Sequence, residues 1–188
     1  EVGGVGQLGG GWGRAGGVGR GLRGEGAVRG SGPGGGGVGG VKRVAIRLDK
    51  LPEALSGLRL VQLTDMHVGL TIGADFVQDV VRKVNSLEPD IVAITGDLID
   101  GSVEDLGHAV APLGEIRAKL GTYFVTGNHE YYSGADPWLS FLRGIGIRVL
   151  RNEHVELTKN GEMIHVAGAD DWTGHQFGNG NGADMARR

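Results

Sequence analysis

Apolar and polar positions along the chain predict strands and helices in regular succession. Short apolar or alternating runs predict four strands, which lie at residues 41–48, 58–63, 91–94 and 122–126. Between the later strands, residues 74–87 and 106–120 carry apolar side chains at the spacing of a helical face. Pro112 is expected to kink or divide the second helix, because proline lacks the backbone N–H that a helix needs.

This succession of strand and helix predicts right-handed βαβ units and a mostly parallel sheet, which is an α/β fold. Ser102 is expected to cap the second helix. Farther along, Asp136 resembles the N-cap of a short helix through Leu142, and residues 147–150 predict another strand. A hairpin is expected over residues 153–168, with its turn at Asn160–Gly161.

Glycine content changes the picture at the start of the chain. Of the 39 glycines, 21 fall in the first 40 residues, which leaves few side chains to bury and much backbone entropy to lose. We therefore expect a disordered leader at residues 1–40, a folded domain at 41–177 and a frayed tail at 178–188.

Composition excludes several classes of function. The net charge of −3 argues against binding to a nucleic-acid backbone, and the absence of cysteine excludes disulfides and thiolate zinc sites. The chain contains no run of 18 apolar residues, so the sequence does not predict a transmembrane helix. The first residues lack the apolar core of a signal peptide. Location and oligomeric state stay open.

Polar side chains follow three successive predicted strands. Asp65 and His67 follow the first of them, Asp97 the second, and Asn128 and His129 the third. Because parallel strands end at the same edge of a sheet, these side chains are expected to converge in one cleft. Carboxylate, amide and imidazole donors suit Mn, Fe, Zn or Mg, and two such ions can clamp a phosphoryl group and acidify a water molecule.

Residues 64–67, 95–98 and 126–130 read T-D-M-H, T-G-D-L and T-G-N-H-E. These motifs resemble the D-x-H, G-D and G-N-H-E pattern of the calcineurin-like metallophosphoesterases. The resemblance extends over about residues 41–171 and is strongest to the subgroup of transmembrane proteins with a metallophosphoesterase domain and its bacterial relatives. A link to a membrane is implied by this subgroup alone.

The resemblance implies an α-β-β-α sandwich and a site with two divalent ions. Asp65, His67 and Asp97 would bind the first ion. Asp97 would bridge to the second, which Asn128 also binds. His129 would contact the phosphate and protonate the leaving group. A water activated by the metals, and no side chain, would be the nucleophile.

The family completes its site with a downstream G-H-x-H motif. After Glu130 the chain has His154 in an expected loop, His165 in an expected strand and His175 two residues before Phe177. None of the three histidines is expected to bind metal. We therefore expect an incomplete sandwich, a truncated fragment, at most one bound ion and slow or absent turnover.

The function predicted from the sequence is metal-dependent hydrolysis of a phosphoester, by this chain or by a longer protein of which it would be a fragment. Phosphodiester, phosphomonoester and lipid pyrophosphate substrates stay open. The alternative is a non-catalytic binding or scaffold domain that retains the fold. Asp100 is expected to be a turn residue, and Glu130 is expected to line the cleft mouth, to pack in the core or to lie exposed.

Overall fold

The computed structural model describes residues 21–29, 40–178 and 181–184. The strands are β1 Gly21–Arg29, β2 Arg43–Arg47, β3 Arg59–Thr64, β4 Ile91–Thr95, β5 Thr122–Val125, β6 Arg148–Val149, β7 Glu153–Lys159 and β8 Glu162–Gly168. The α-helices are α1 Ala74–Ser86, α2 Val103–Val110, α3 Asn128–Tyr132 and α4 Ala135–Gly144. Short 3-10 turns lie at Glu53–Leu55, Ala111–Glu115 and Trp172–Phe177.

A six-stranded sheet with the order β2-β1-β3-β4-β5-β6 forms the centre of the molecule. Strand β1 is parallel to β3, and the pairs β3–β4, β4–β5 and β5–β6 are also parallel, whereas β2 is antiparallel to β1. Strands β7 and β8 form a separate antiparallel hairpin. The α/β class and the mostly parallel sheet predicted from the sequence are confirmed.

The two faces of the sheet are covered by different elements. Val61, Val92 and Phe124 face the apolar stripes of α1, α2 and α4. Ile91 and Tyr123 point to the opposite face. There they pack against Val155 and Ile164 of the β7–β8 hairpin and against Leu55 of the turn at Glu53–Leu55. The described residues thus stack as helices, sheet and hairpin, consistent with the metallophosphoesterase fold.

Residues 21–29, which lie within the expected leader, form a strand in the structure. Strand β1 lies there and pairs with both β2 and β3, although residues 1–20 and 30–39 lie outside the described residues. The physical reason is that strands pair through backbone N–H and C=O groups, so glycine can take part despite its entropic cost.

Several local predictions can be compared with the helices. Ser102 caps α2 by accepting a hydrogen bond from the Asp105 N–H at 3.3 Å, and α2 gives way to a 3-10 turn around Pro112, both as predicted. The predicted N-cap at Asp136 is wrong, because α4 begins after Gly134, whose left-handed backbone (φ 89°) turns the chain into the helix.

Two further local predictions do not match the structure. His154, expected in a loop, lies in β7, because that strand begins at Glu153, where the predicted hairpin also begins. The tail expected to fray is anchored in its described part by hydrogen bonds from Arg151 to Asn181 at 2.7 Å and from Asn152 to the Gly182 carbonyl at 2.9 Å. Among the described elements, no helix combines the length and the apolar character needed to cross a membrane.

Candidate metal centre

The chain segments that follow β3 and β4 run side by side at the carboxyl edge of the sheet. The His67 N–H donates to the Asp97 carbonyl at 3.0 Å, and the Val68 N–H donates to the Leu98 carbonyl at 2.8 Å. The Asp100 N–H in turn donates to the Val68 carbonyl at 2.9 Å. Backbone pairing therefore fixes the D-x-H loop against the G-D loop beyond the end of the regular sheet.

Three of the predicted site residues have left-handed backbones. Asp65, His67 and Asp97 have φ values of 54°, 46° and 50°, a region that residues other than glycine rarely adopt. Such conformations persist where the surrounding structure enforces them, and they cluster at functional sites. Here they turn successive side chains toward one edge of the sheet.

Two glycines allow the G-D loop and the G-N-H-E loop to touch. A Cβ built on Gly96, where φ is 76°, would overlap the backbone of Gly127. A Cβ on Gly127 would overlap the Asp97 carboxylate and lie 2.6 Å from its backbone nitrogen. The close approach also lets the His129 N–H donate to Asp97 Oδ1 at 3.1 Å.

These loops bring together the residues that we call the strand-edge site: Asp65, His67, Asp97, Asn128 and His129. One ligand atom from each of His67, Asp97 and His129 lies within 4.8 Å of the others. His67 and His129 also meet edge to face, with ring centroids 4.5 Å apart. The geometry allows His129 either to join the metal ligands or to face a substrate.

Asn128 lies directly beside the Asp97 carboxylate. Its side-chain amide nitrogen donates to Oδ1 at 3.1 Å and to Oδ2 at 3.3 Å. The chemistry of the clustered donors, two imidazoles and the Asp97 carboxylate with ligand atoms within 4.8 Å of one another, fits a borderline divalent metal.

Asp65 lies at the margin of the cluster. Its carboxylate accepts a hydrogen bond from the Thr64 hydroxyl, and its backbone N–H donates to the Gly96 carbonyl at 3.3 Å. Burial lowers the pKa of His67, but a hydrogen bond to Asp100 and the charges of Asp100, Asp97 and Asp65 outweigh burial and raise it. The carboxylates thus form a negative environment around the imidazole.

Asp100 is a site residue that the sequence reasoning missed by treating it as a turn residue. Its Oδ1 lies 3.0 Å from Nδ1 of His67 and 2.6 Å from Nδ1 of His129. Burial raises the pKa of Asp100, but the hydrogen bonds to both histidines and their charges outweigh it and lower the pKa. With Nδ1 of each ring donating to this carboxylate, Nε2 is the nitrogen left for a metal or a substrate.

Glu130 supports the same loops and packs in the core, one of the three placements expected for it. Its side chain is 1 % exposed and accepts backbone hydrogen bonds from Gly127 at 2.6 Å, Leu98 at 2.8 Å and Asp97 at 3.0 Å. Burial raises the pKa of Glu130 despite these three donors. The acidic residue of G-N-H-E therefore acts on the position of Asp97.

The three downstream histidines lie elsewhere. His154 and His165 are on the β7–β8 hairpin, and His175 packs against Trp172 with ring centroids 5.1 Å apart. Among the described residues, the group that could hold a metal at the sheet edge consists of His67, Asp97 and His129.

Comparison with known proteins points to one family. The family model for calcineurin-like phosphoesterases matches residues 58–180. That segment begins just before β3 and contains all five residues of the strand-edge site. No solved structure matches the chain.

Individual relatives agree with the family match. The chain is 45 % identical over 132 residues to the Danio rerio "Transmembrane protein with metallophosphoesterase domain", covering 68 % of this chain and 30 % of the relative. The Bos taurus protein of the same name is 42 % identical over 149 residues, with coverages of 72 % and 34 %. An "Uncharacterized metallophosphoesterase" of Helicobacter pylori (strain ATCC 700392 / 26695) is 44 % identical over 117 residues, with coverages of 62 % and 31 %. The chain thus spans about a third of the length of these curated relatives.

Proposed function

The chain belongs to the calcineurin-like phosphoesterase family, and from that premise we propose that its strand-edge site binds a divalent metal and serves the hydrolysis of a phosphoester. The observation that carries the proposal is the convergence of His67, Asp97 and His129 ligand atoms within 4.8 Å. The relatives are named as metallophosphoesterases, so the alternative of a non-catalytic scaffold is not favoured.

Asp65, His67 and Asp97 would hold the first ion, with Asp97 directed toward a second ion together with Asn128. When bound, divalent ions of this kind lower the pKa of a water molecule and neutralise charge on the phosphoryl oxygens. The mixed oxygen and imidazole donors of the site suit Mn, Fe, Zn or Mg.

His67 and His129 would have different tasks on the two sides of Asp100. The hydrogen bond from Nδ1 to Asp100 leaves Nε2 of His67 as a metal ligand, oriented by the carboxylate behind it. The same carboxylate orients His129, whose Nε2 would face the phosphate. From that position, Nε2 of His129 would pass a proton to the leaving oxygen.

We further propose that the chain holds one ion well. Three protein ligands suffice for an open site, whereas the second position has, among the described residues, only the shared Asp97 and the neutral amide of Asn128. Two ligands compensate poorly for removing water from a divalent ion. Because two-metal hydrolysis uses both ions, we expect slow turnover of this chain.

The test is to titrate the purified chain with manganese by calorimetry and to assay an activated aryl phosphodiester. We expect one bound ion per chain and metal-dependent hydrolysis well below about 1–10³ s⁻¹, the range of ordinary enzymes. Asp97→Asn should weaken manganese binding at least about tenfold, because loss of a ligand exceeds the usual effect of removing a partner behind one.

Asp75→Asn is the matched control, because this exposed carboxylate lies in the first turn of α1 and outside the site. Absence of manganese binding, or equal binding by Asp97→Asn and the unmodified chain, would refute the proposed metal site. Turnover at ordinary enzyme rates would instead refute the one-ion proposal alone.

A further inference from the structure

The outer face of the β7–β8 hairpin carries a second group of metal-ligand side chains. His154 and Glu156 are two residues apart on β7, so they point to the same face. Glu156 pairs directly with His165 of β8 in the antiparallel register. Two imidazoles and one carboxylate therefore share an exposed surface that plays no part in the strand-edge site.

The ligand atoms of these three residues are already close. One atom from each of His154, Glu156 and His165 lies within 4.8 Å of the others. Nδ1 of His165 is 3.9 Å from a Glu156 carboxylate oxygen, and the two imidazole rings have centroids 5.8 Å apart. Ligands around one Zn²⁺, at about 2.0–2.2 Å from it, lie somewhat nearer to each other, so modest side-chain rotations would complete the geometry.

We propose that His154, Glu156 and His165 form a binding site for a borderline divalent cation of the Zn²⁺ class. Two imidazole nitrogens favour zinc and its neighbours in the first transition series over Mg²⁺ or Ca²⁺, which prefer all-oxygen sites. Three protein ligands leave a fourth position for water or for a group from another molecule.

The backbone of the hairpin is held in place before the ion binds. On the opposite face, Val155 and Ile164 are buried against the large sheet. At the turn, the Asn160 amide donates to the Ala54 carbonyl at 2.8 Å, which fastens the end of the hairpin to the body of the protein. The backbone is therefore fixed on two sides, and binding would order only three exposed side chains.

Bound metal would cross-link β7 to β8. An ion that binds the folded hairpin and not the unfolded chain stabilises the folded state in proportion to the logarithm of its concentration. Zn²⁺ binds imidazole in its neutral form, so protons compete with the ion for these nitrogens.

The test is a zinc titration of the ¹⁵N-labelled full chain followed in imidazole NMR spectra, where each histidine is observed separately from the strand-edge site. We expect Zn²⁺ to shift the ring resonances of His154 and His165 together, and Mg²⁺ at the same concentration to leave them unchanged. His165→Ala should weaken the response of His154 at least about tenfold, because a direct ligand is lost. Glu156→Gln, which keeps the shape of the side chain, should weaken it in the same direction.

Thr158→Ala is the matched control, since Thr158 lies on the same exposed face of β7 and is not one of the three ligands. It should bind zinc like the unmodified chain. The proposal is overturned if His154 and His165 do not respond to zinc, or if His154 responds in both His165→Ala and Glu156→Gln as strongly as in the unmodified chain. Neither result would bear on the strand-edge site, whose own histidines report separately.

Discussion

Asp100 shows at the scale of single residues how the strand-edge site depends on a side chain behind the ligands. Its carboxylate contacts Nδ1 of both His67 and His129. We expect Asp100→Asn to weaken manganese binding about 10–100-fold, the usual cost of removing a carboxylate behind a ligating histidine. Because the Asp100 side chain is 42 % exposed, the free energy of unfolding of the metal-free chain should change little. Calorimetric titration measures the first quantity and urea denaturation the second.

Asp75→Asn again serves as the control, with no change expected in either measurement. Unaltered manganese affinity in Asp100→Asn would show that the histidines are oriented without it. A large loss of stability would show that Asp100 acts on the fold and not on the site.

The sequence predicted the site residues at the strand ends, but it did not predict the contacts of Asp100 and Glu130 with them. Strand-end reasoning directs Asp65, His67, Asp97 and Asn128 to one edge, and their role as ligands stays a prediction. Asp100 and Glu130 escaped this reasoning because their contacts depend on how the loops turn after the strands end. For Asp100 a signal was present, since it follows Asp97 by three residues, but the sequence does not show the burial of Glu130.

At the scale of elements, the loops after β4 and β5 can touch because residue 127 has no side chain. We expect Gly127→Ala to destabilise the protein by about 1–3 kcal/mol, as overpacking does, and to displace the Asp97 carboxylate. Manganese affinity should fall with stability, because Asp97 is one of the proposed metal ligands. Urea denaturation and calorimetric titration of the same sample measure the two effects.

Gly144→Ala is a suitable control, because a Cβ at that position in α4 meets nothing within 4 Å. This substitution should be neutral or stabilise the chain by up to about 1 kcal/mol. If Gly127→Ala were as stable as Gly144→Ala and bound manganese equally well, the loops would have room that the structure does not show.

Apolar patterning predicted the central strands and the longest helix but not the shortest helix. Strands β3 to β5 are apolar runs bounded by polar or turn residues, and α1 has 13 residues with a buried stripe, which is why their positions were predictable. Helix α3 has five residues, too few for a helical pattern, and it was missed. The start of α4 was predicted at Asp136 because capping side chains are common, whereas the chain used the left-handed backbone of Gly134.

At the scale of the whole molecule, the glycine-rich N-terminal segment joins the large sheet through residues 21–29. Low apolar content predicts that a segment has no core of its own. It does not exclude a strand such as β1, which pairs through its backbone with β2 and β3.

Asp90 lies at the edge of the large sheet opposite the strand-edge site. Its side chain connects this sheet to the β7–β8 hairpin. Its carboxylate accepts the Arg59 N–H at 2.8 Å. Its Oδ1 accepts no hydrogen bond of good geometry but lies 2.6 Å from the Lys159 ammonium and 3.7 Å from that of Lys119, so its partners are charges. Arg59 begins β3, Asp90 precedes β4 and Lys159 ends β7.

The same contacts make this connection sensitive to acid. Burial raises the pKa of Asp90, but contact with Lys159, the hydrogen bond from Arg59 and the two lysine charges outweigh burial and lower it. A carboxyl whose pKa is lower in the folded state stabilises the protein above its unfolded pKa. That stability is lost as pH falls through the folded pKa.

We therefore expect Asp90→Asn to lower the free energy of unfolding at pH 7 by about 1–3 kcal/mol, a moderate loss because both lysines are partly exposed and screened by water. The difference from the unmodified chain should shrink as the pH is lowered through the acid range, because protonation removes the same charge from Asp90. Urea denaturation at a series of pH values measures it, with the exposed Asp75→Asn as the control. A difference that stayed constant with pH would mean that Asp90 contributes through shape and the Arg59 hydrogen bond, and that its charge does not hold the hairpin to the sheet.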